Sequence, residues 1–320
     1  MIDMHMHSTA SVHAKDTYML RLLARGATSL PTSSSIADKE APELMMQTAF
    51  DKGLRAVALT DHWSVSALAP AQAKADELGI ELIRGIEIGS LLELDGNGYE
   101  VHFLAYLFDA EDPGLLRLCA DAKRTCEQGA AAFLEGLRYL SIEITREDVE
   151  REYPGAFSSW AIRRMLVSRG YARNKVDASQ IQQKAVVRTL ATSPERDPLI
   201  QPGVIEAAQI IEVLHEAGAS VFIAHPFWLT FPAQGGCPEE LVWRHIHAVI
   251  DLGVDGIEAY SPSCTERQHE ALLAFCRERG LPACGGSDSH SAAALSKSPS
   301  VGQELLESIK RHREGLAPWG

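Results

Sequence analysis

The chain has 320 residues, 46% of them hydrophobic and 23% charged, with a formal net charge of −13. That length suits one large domain, or one domain carrying a sizeable insertion, and the composition is ordinary for a globular protein. No window approaches the roughly 18 apolar residues of a membrane span, no secretory signal is expected from the opening residues, and the acidic balance disfavours a broad grip on long nucleic acid.

In chain order, a β-like run over Ile2–His7 is followed by a Ser-, Thr- and Pro-rich stretch, Thr28–Ala41, that reads as a loop. A helix is expected over Pro42–Lys52, a strand over Arg55–Thr60, a helix over Ser64–Leu78, and strands over Glu81–Ile88 and Val101–Phe108. The Asp95-Gly96-Asn97-Gly98 cluster predicts a tight turn between the last two. From Asp109 to Pro202 no strand signal appears; Leu115–Leu140, Thr145–Arg151, Ser159–Arg169 and Ala178–Leu190 carry helical apolar spacing. The alternation then resumes: helix Val204–Ala217, strand Ser220–His225, helix Glu239–Leu252, strand Gly256–Tyr260, helix Glu266–Arg279, strand Pro282–Gly286. Seven strands alternating with helices predict an α/β fold with a parallel sheet, open or closed into a barrel. Residues 1–108 and 204–320 would form its two parts, with 109–203 as a helical insert. The six cysteines form no CxxC pair, so free thiols in a reducing, cytoplasmic setting are expected.

The chemistry gathers at strand ends. His5 and His7 stand two apart on the first strand, so both point to one face, and His13 follows its exit. Thr60-Asp61-His62 closes the second strand, Gly85-Ile86-Glu87 the third, and Ala224-His225-Pro226 the fifth; His102 lies within the fourth, and Gly286-Ser287-Asp288-Ser289-His290 follows the last. Ligands of α/β folds collect at the carboxyl ends of strands, so these residues should converge. A lone histidine is more often a core residue, but seven at successive strand ends are not background. The other five of the 12 (His215, His245, His247, His269, His312) fall in helix patterns and read as surface or packing residues. Asp61 could accept from the His62 ring or cap the strand end. Glu258 could be a rim residue or a substrate contact.

The runs HxHS at 5–8, TDH at 60–62, GIE at 85–87, HFLAY at 102–106, AHP at 224–226 and GSDSH at 286–290 resemble the PHP (polymerase and histidinol phosphatase) family of metal-dependent phosphoesterases. The resemblance implies a distorted (β/α)7 barrel with a helical insertion and nine metal ligands: His5, His7, His13, His62, Glu87, His102, His225, Asp288 and His290. It places His5, His7, Glu87 and Asp288 on a first divalent ion, Glu87, His102 and His225 on a second, and His13, His62 and His290 on a third. Two to three ions are implied; histidine-rich sites suit Mn, Fe or Zn. Such ions would outweigh the two carboxylates and draw a phosphate despite the acidic surface. The reaction implied is hydrolysis of a small phosphomonoester, a nucleotide or similar, by a hydroxide bridging the ions, with Glu87, Asp288 and His225 as catalytic residues.

Residues 99–221 are similar to the branch acting on nucleoside 3′,5′-bisphosphates and RNA 5′ ends, whose insert covers the barrel mouth. Lys123, Arg124, Arg163, Arg164 and Lys175 are the basic side chains that could meet phosphate there. The chain departs from that branch at Trp160-Ala161 and Cys264, where histidines are usual, and at His13, where an aspartate is commoner. Alternatives are a phosphodiesterase or exonuclease on short nucleic-acid ends and, from another class, a catalytically silent metal-binding module. No membrane partner is expected, and the sequence leaves the oligomeric state open.

Overall fold

The computed structural model describes residues 1–12, 40–94, 97–155, 157–192, 206–228 and 237–319. His13 and residues 28–39 of the expected loop lie outside them. Seven strands form one sheet in chain order: β1 (Ile2–Met6), β2 (Ala56–Leu59), β3 (Glu81–Leu94), β4 (Asn97–Tyr106), β5 (Ser220–Ile223), β6 (Gly256–Tyr260) and β7 (Ala283–Gly285). A parallel bridge from Met6 to Ser289 joins the two edges, and the His7 N–H donates to the Ser289 carbonyl at 2.8 Å, so the barrel is nearly closed. Among the described residues the helices are α1 (Pro42–Asp51), α2 (Leu68–Leu78), α3 (Pro113–Arg138), α4 (Arg146–Glu152), α5 (Ser159–Ser168), α6 (Lys175–Thr192), α7 (Ala207–Glu216), α8 (Glu239–Asp251), α9 (Glu266–Arg279), α10 (Ala292–Lys297) and α11 (Glu304–Arg313).

β1, β2, β5 and β7 are buried along their whole length. Strands covered on both faces tend to read as continuous apolar runs, as β2 (AVAL) and most of β5 (SVFI) do, whereas β1 (IDMHM) alternates and buries Asp3 and His5 on its second face. Ile2, Met4, Ala56, Ala58, Ile83, Leu104, Tyr106, Phe222 and Cys284 pack together with Leu306 and Ile309 of α11.

The expectation of a parallel sheet is corrected at β4. β1, β2 and β3 run parallel, as do β5, β6 and β7, but β4 is antiparallel to both β3 and β5. The link from Leu94 to Asn97 is far too short for a parallel crossover, which needs about a dozen residues. β3 and β4 also run longer than expected, 14 and 10 residues, pairing from Gly85↔Tyr106 to Leu94↔Asn97. Of the expected turn, Asp95 and Gly96 lie outside the described residues, while Asn97 and Gly98 already pair in β4.

α9 keeps its expected bounds because both ends are signalled: Thr265 and Gln268 form a capping box, and Gly280 turns left-handed at the C-cap. α2 starts later than expected. Ser64 and Ser66 instead bond each other through their hydroxyls at 2.9 Å, a local alternative to helix.

By contacts, the described residues of 1–11, 40–119 and 206–319 form one compact unit, holding the barrel, and those of 120–192 form a second, helical one. The second has its own core, including Phe133, Leu137, Val149, Ile162, Met165, Leu166 and Ala185. Its α4 opens with a Thr145–Asp148 capping box and its α5 with a Ser158 cap. All six cysteines are free, and burial pushes the Cys119 and Cys276 thiols up to about 12. No helix among the described residues is long and apolar enough to cross a membrane.

Candidate metal centre

The register of β1 breaks between Asp3 and Met6. Ile2 and Met4 belong to the barrel core, whereas His5 and His7, of the other parity, enter a cluster of imidazoles and carboxylates. His62 follows β2, His225 follows β5, and Asp288 and His290 follow β7, each at a C-terminal strand end. Glu87 and His102 arrive differently, from within the long β3–β4 hairpin, and a bridge between His62 and Glu87 fixes their level. Trp63, His225 and Asp288 hold left-handed backbone angles, with φ of 52°, 27° and 48°. Such non-glycine conformations cost on the order of 1–3 kcal/mol and tend to gather at functional sites.

Glu87 is fully buried, and five imidazoles reach its carboxylate. His5 Nε2, His7 Nε2 and His62 Nδ1 lie 3.3, 3.2 and 3.0 Å from Oε2. His102 Nδ1 and His225 Nε2 lie 2.6 and 3.0 Å from Oε1. Asp288 Oδ1 stands 3.4 Å from His5 Nε2, 3.2 Å from His7 Nε2 and 3.7 Å from His290 Nδ1.

The outer sides of the rings decide what the inner nitrogens can do. Ser11 gives its single hydroxyl proton to Asp61 Oδ1 at 2.7 Å, so its oxygen can only accept from His7 Nδ1 at 3.3 Å. His5 Nδ1 faces Glu258 Oε1, and His102 Nε2 faces Glu100 Oε1, both at 2.9 Å. In the neutral form that a metal ligand must take, these outer acceptors would hold the ring protons, which would leave the inner nitrogens of His5, His7 and His102 as bare lone pairs. Lone pairs aimed at a carboxylate repel it, and His7 Nε2 is buried with no hydrogen bond. A divalent cation between them removes the conflict. Tetrahedral ligands at about 2.0–2.1 Å from an ion stand roughly 3.3 Å apart, close to the separations found here. Three donor groups are close enough to share an ion: His5, His7, Glu87 and Asp288; His62, Glu87 and His102; and His7, His62 and His290. The residues present therefore fit divalent metal ions. The first group is the set that the resemblance implied; the second has His62 where the resemblance put His225, and the third has His7 beside His62 and His290, while His13 lies outside the described residues.

Electrostatics agrees with the geometry. Burial alone would raise the Glu87 carboxyl, but His62, His102 and His5 outweigh it and hold it well below the usual range. Burial would lower His102, yet Glu87 and Glu100 push it up to about 9. Burial, with His7 beside it, brings His290 down to about 4, so this ring is neutral at pH 7. Rings held protonated beside carboxylates are ready to exchange protons for a cation.

Two open readings are settled by these contacts. Asp61 accepts from the Ser8 N–H and Ser8 hydroxyl, each at 2.6 Å, as well as from Ser11; it anchors the loop after β1 and acts on His7 through Ser11. Glu258 is wholly buried beside His5 and so is neither a rim residue nor a substrate contact. Ser11 and Glu100 were not singled out from sequence. Glu100 stands two residues before His102, the same-face spacing of a strand, which is the signal available for it.

The basic candidates all belong to the helical unit. Lys123, Arg124 and Lys175 are exposed, and Arg124 pairs with Asp121 at 2.8 Å. Arg163 is buried and donates to Gln182 Oε1 at 2.6 Å, a packing role; Arg164 lies over the Trp160 ring, 5.3 Å from its centroid. Outside the cluster, His215 pairs with Asp255, His245 with the Leu241 carbonyl and His269 with the Ser261 carbonyl.

A family model described as the PHP domain matches residues 32–164. The chain is 25% identical over 253 residues to a 5′-3′ exoribonuclease of Haemophilus influenzae, covering 78% of this chain and 84% of the relative. It is 24% identical over 235 residues to a 3′,5′-nucleoside bisphosphate phosphatase of Chromobacterium violaceum, covering 73% and 76%. A solved structure from Bifidobacterium adolescentis, described as a metal-dependent phosphoesterase, shares the fold with a TM-score of 0.65 at 21% identity, covering 96% of this chain and 94% of that one. Sequence and fold thus lead to the same place as the ligand geometry: the chain is similar to the PHP metal-dependent phosphoesterases, by the family model over residues 32–164 and by fold over nearly its whole length.

Proposed function

We propose that the cluster holds two to three divalent ions of the Mn, Fe or Zn kind and that the enzyme hydrolyses a nucleotide phosphomonoester to the free hydroxyl and inorganic phosphate. The observation that carries this reading is the convergence of five imidazoles on the Glu87 carboxylate. Imidazole-rich donor sets suit those metals better than Mg or Ca. The Chromobacterium violaceum relative, named as a phosphatase of nucleoside bisphosphates, supports the substrate class. When bound, the ions supply Lewis acidity, which acidifies water and offsets charge on the phosphoryl oxygens.

The residues divide the remaining work. His5, His7, Glu87 and Asp288 would hold one position; by the resemblance Glu87, His102 and His225 would hold a second and His62 and His290, with His13, a third, with His62 also within reach of the second. The Asp288 side chain is 34% exposed whereas that of Glu87 is 0% exposed. Asp288 therefore stands open to the substrate and takes the proton of the attacking water. His225, on the other oxygen of Glu87, serves the side of the leaving group.

Metal content and turnover on a panel of nucleoside monophosphates, 3′,5′-bisphosphates, phosphodiesters and short 5′-phosphorylated RNA test this reading. Two to three equivalents of metal with phosphate released from the monoesters is the expected result. Stepwise release of nucleotides from RNA with no phosphate from monoesters would replace it with the exonuclease. Bound metal without any turnover would leave a binding module. Glu87→Gln removes the charge shared by five rings, and its rate should fall at least about 100-fold together with metal content; full retention of both would sink the mechanism.

A further inference from the structure

We propose that Glu258 is a positioning residue of this centre, one carboxylate that orients the His5 ring and fixes the His225 backbone at the same time. The inference rests on the metal-centre reading above and adds a residue to which no role has been given.

Glu258 lies on β6, between β5 and β7, and is completely buried. Its Oε1 stands 2.9 Å from His5 Nδ1, and its Oε2 accepts the His225 N–H at 2.6 Å. His5 comes from β1 and His225 from the end of β5, and their rings stack with centroids 5.7 Å apart. The β6–β7 register breaks between Glu258 and Tyr260, an irregularity of the kind that re-aims a side chain.

Both contacts need a carboxylate. His5 must give its Nδ1 proton outward for Nε2 to face Glu87 and Asp288 with a lone pair. His225 holds its ring on a left-handed backbone, φ 27°, whose buried N–H requires an acceptor. A glutamine presents one acceptor oxygen and one NH2 group, so it can satisfy His5 or His225 but not both.

The test compares wild type with Glu258→Gln in the full chain, stripped of metal and then titrated with Zn²⁺ or Mn²⁺. The metal-free proteins should share their far-UV dichroism, while E258Q binds the ions about 10- to 100-fold more weakly. Nitrogen-15 spectra of the histidine rings give the second readout: the Zn-loaded wild type should show His5 protonated at Nδ1 and hydrogen-bonded, and E258Q should lose or shift that signal. A folded E258Q with wild-type affinity and an unchanged His5 signal would overturn the role of Glu258 alone. A lower melting temperature with unchanged affinity would overturn it equally, since that is a structural role. If E258Q does not fold, the wild-type spectrum decides: a bare His5 Nδ1 in the loaded protein overturns the proposal. Failure of wild type to bind metal would instead overturn the proposed centre.

Discussion

Ser11 has one hydroxyl proton, which goes to Asp61, and its oxygen receives the His62 N–H at 3.1 Å and faces His7 Nδ1. Replacing it with alanine removes all three contacts in a buried place. Ser11→Ala should therefore cost about 1–3 kcal/mol of stability, because buried polar groups lose partners. It should also weaken metal binding roughly tenfold, because His7 is no longer held in the tautomer that presents Nε2. Denaturant unfolding and a metal titration read the two effects separately, and wild-type affinity in S11A would mean that His7 is oriented by other contacts. This residue also marks a limit of the sequence. Histidines at strand ends are rare enough to announce themselves, and His5, His7, His62, His102, His225 and His290 meet in one cluster with Glu87 and Asp288. Serine and glutamate are common everywhere. What gives Ser11 and Glu258 their work is a partner 50 or 253 positions away, and spacing along the chain carries no trace of it.

Among elements, strand positions were legible because apolar runs bounded by turns and helices mark them, and Gly256–Tyr260 and Glu266–Arg279 match their expected bounds. Direction was legible only in part: alternation with helices argues for parallel strands, the tight turn expected at 95–98 is the signal for the antiparallel β3–β4 hairpin, and β4 is then antiparallel to β5 as well. That hairpin matters to the site, since it delivers Glu87 and His102 from mid-strand while their neighbours come from strand ends. In the helical unit, Gly136 of α3 lies so close to α6 that a Cβ would fall inside contact distance of the Ala185 carbonyl oxygen. The obstacle is helix backbone, which cannot rotate away as a side chain would. Gly136→Ala gains up to about 1 kcal/mol of helix propensity but forces the helices apart, and overpacking of this kind costs about 1–3 kcal/mol or more. The variant should melt at a lower temperature. Its folded molecules should hold as much metal as wild type, since the three donor groups found among the described residues belong to the other unit. Metal loss in proportion to destabilisation would show that the two units fold as one.

For the whole molecule the sharpest consequence is a conflict between protons and metal ions. In the metal-free protein, His102 sits at about 9 against an ordinary 6.5. Its contribution to stability is complete below pH 6.5 and is lost as pH rises through 9. Glu87 is held well below its ordinary 4.5, so its contribution is present above pH 4.5 and lost only in acid. Metal-stripped protein should therefore lose stability between pH 6.5 and 9 while Glu87 stays ionised throughout. The loaded protein runs the other way. Each ion must displace protons from the rings that carry them, so affinity rises with pH, and tighter binding stabilises the native state in proportion to the logarithm of ligand concentration over Kd. The gap between the melting temperatures of loaded and stripped protein should consequently widen from pH 6.5 to 9 at fixed free metal. Binding near pH 7 should also release protons, measurable as a buffer-dependent heat in calorimetry. A gap that stays constant, with no proton release, would mean that the rings are already neutral without metal, and that the carboxylates do not charge them in the way the Glu87 contacts require.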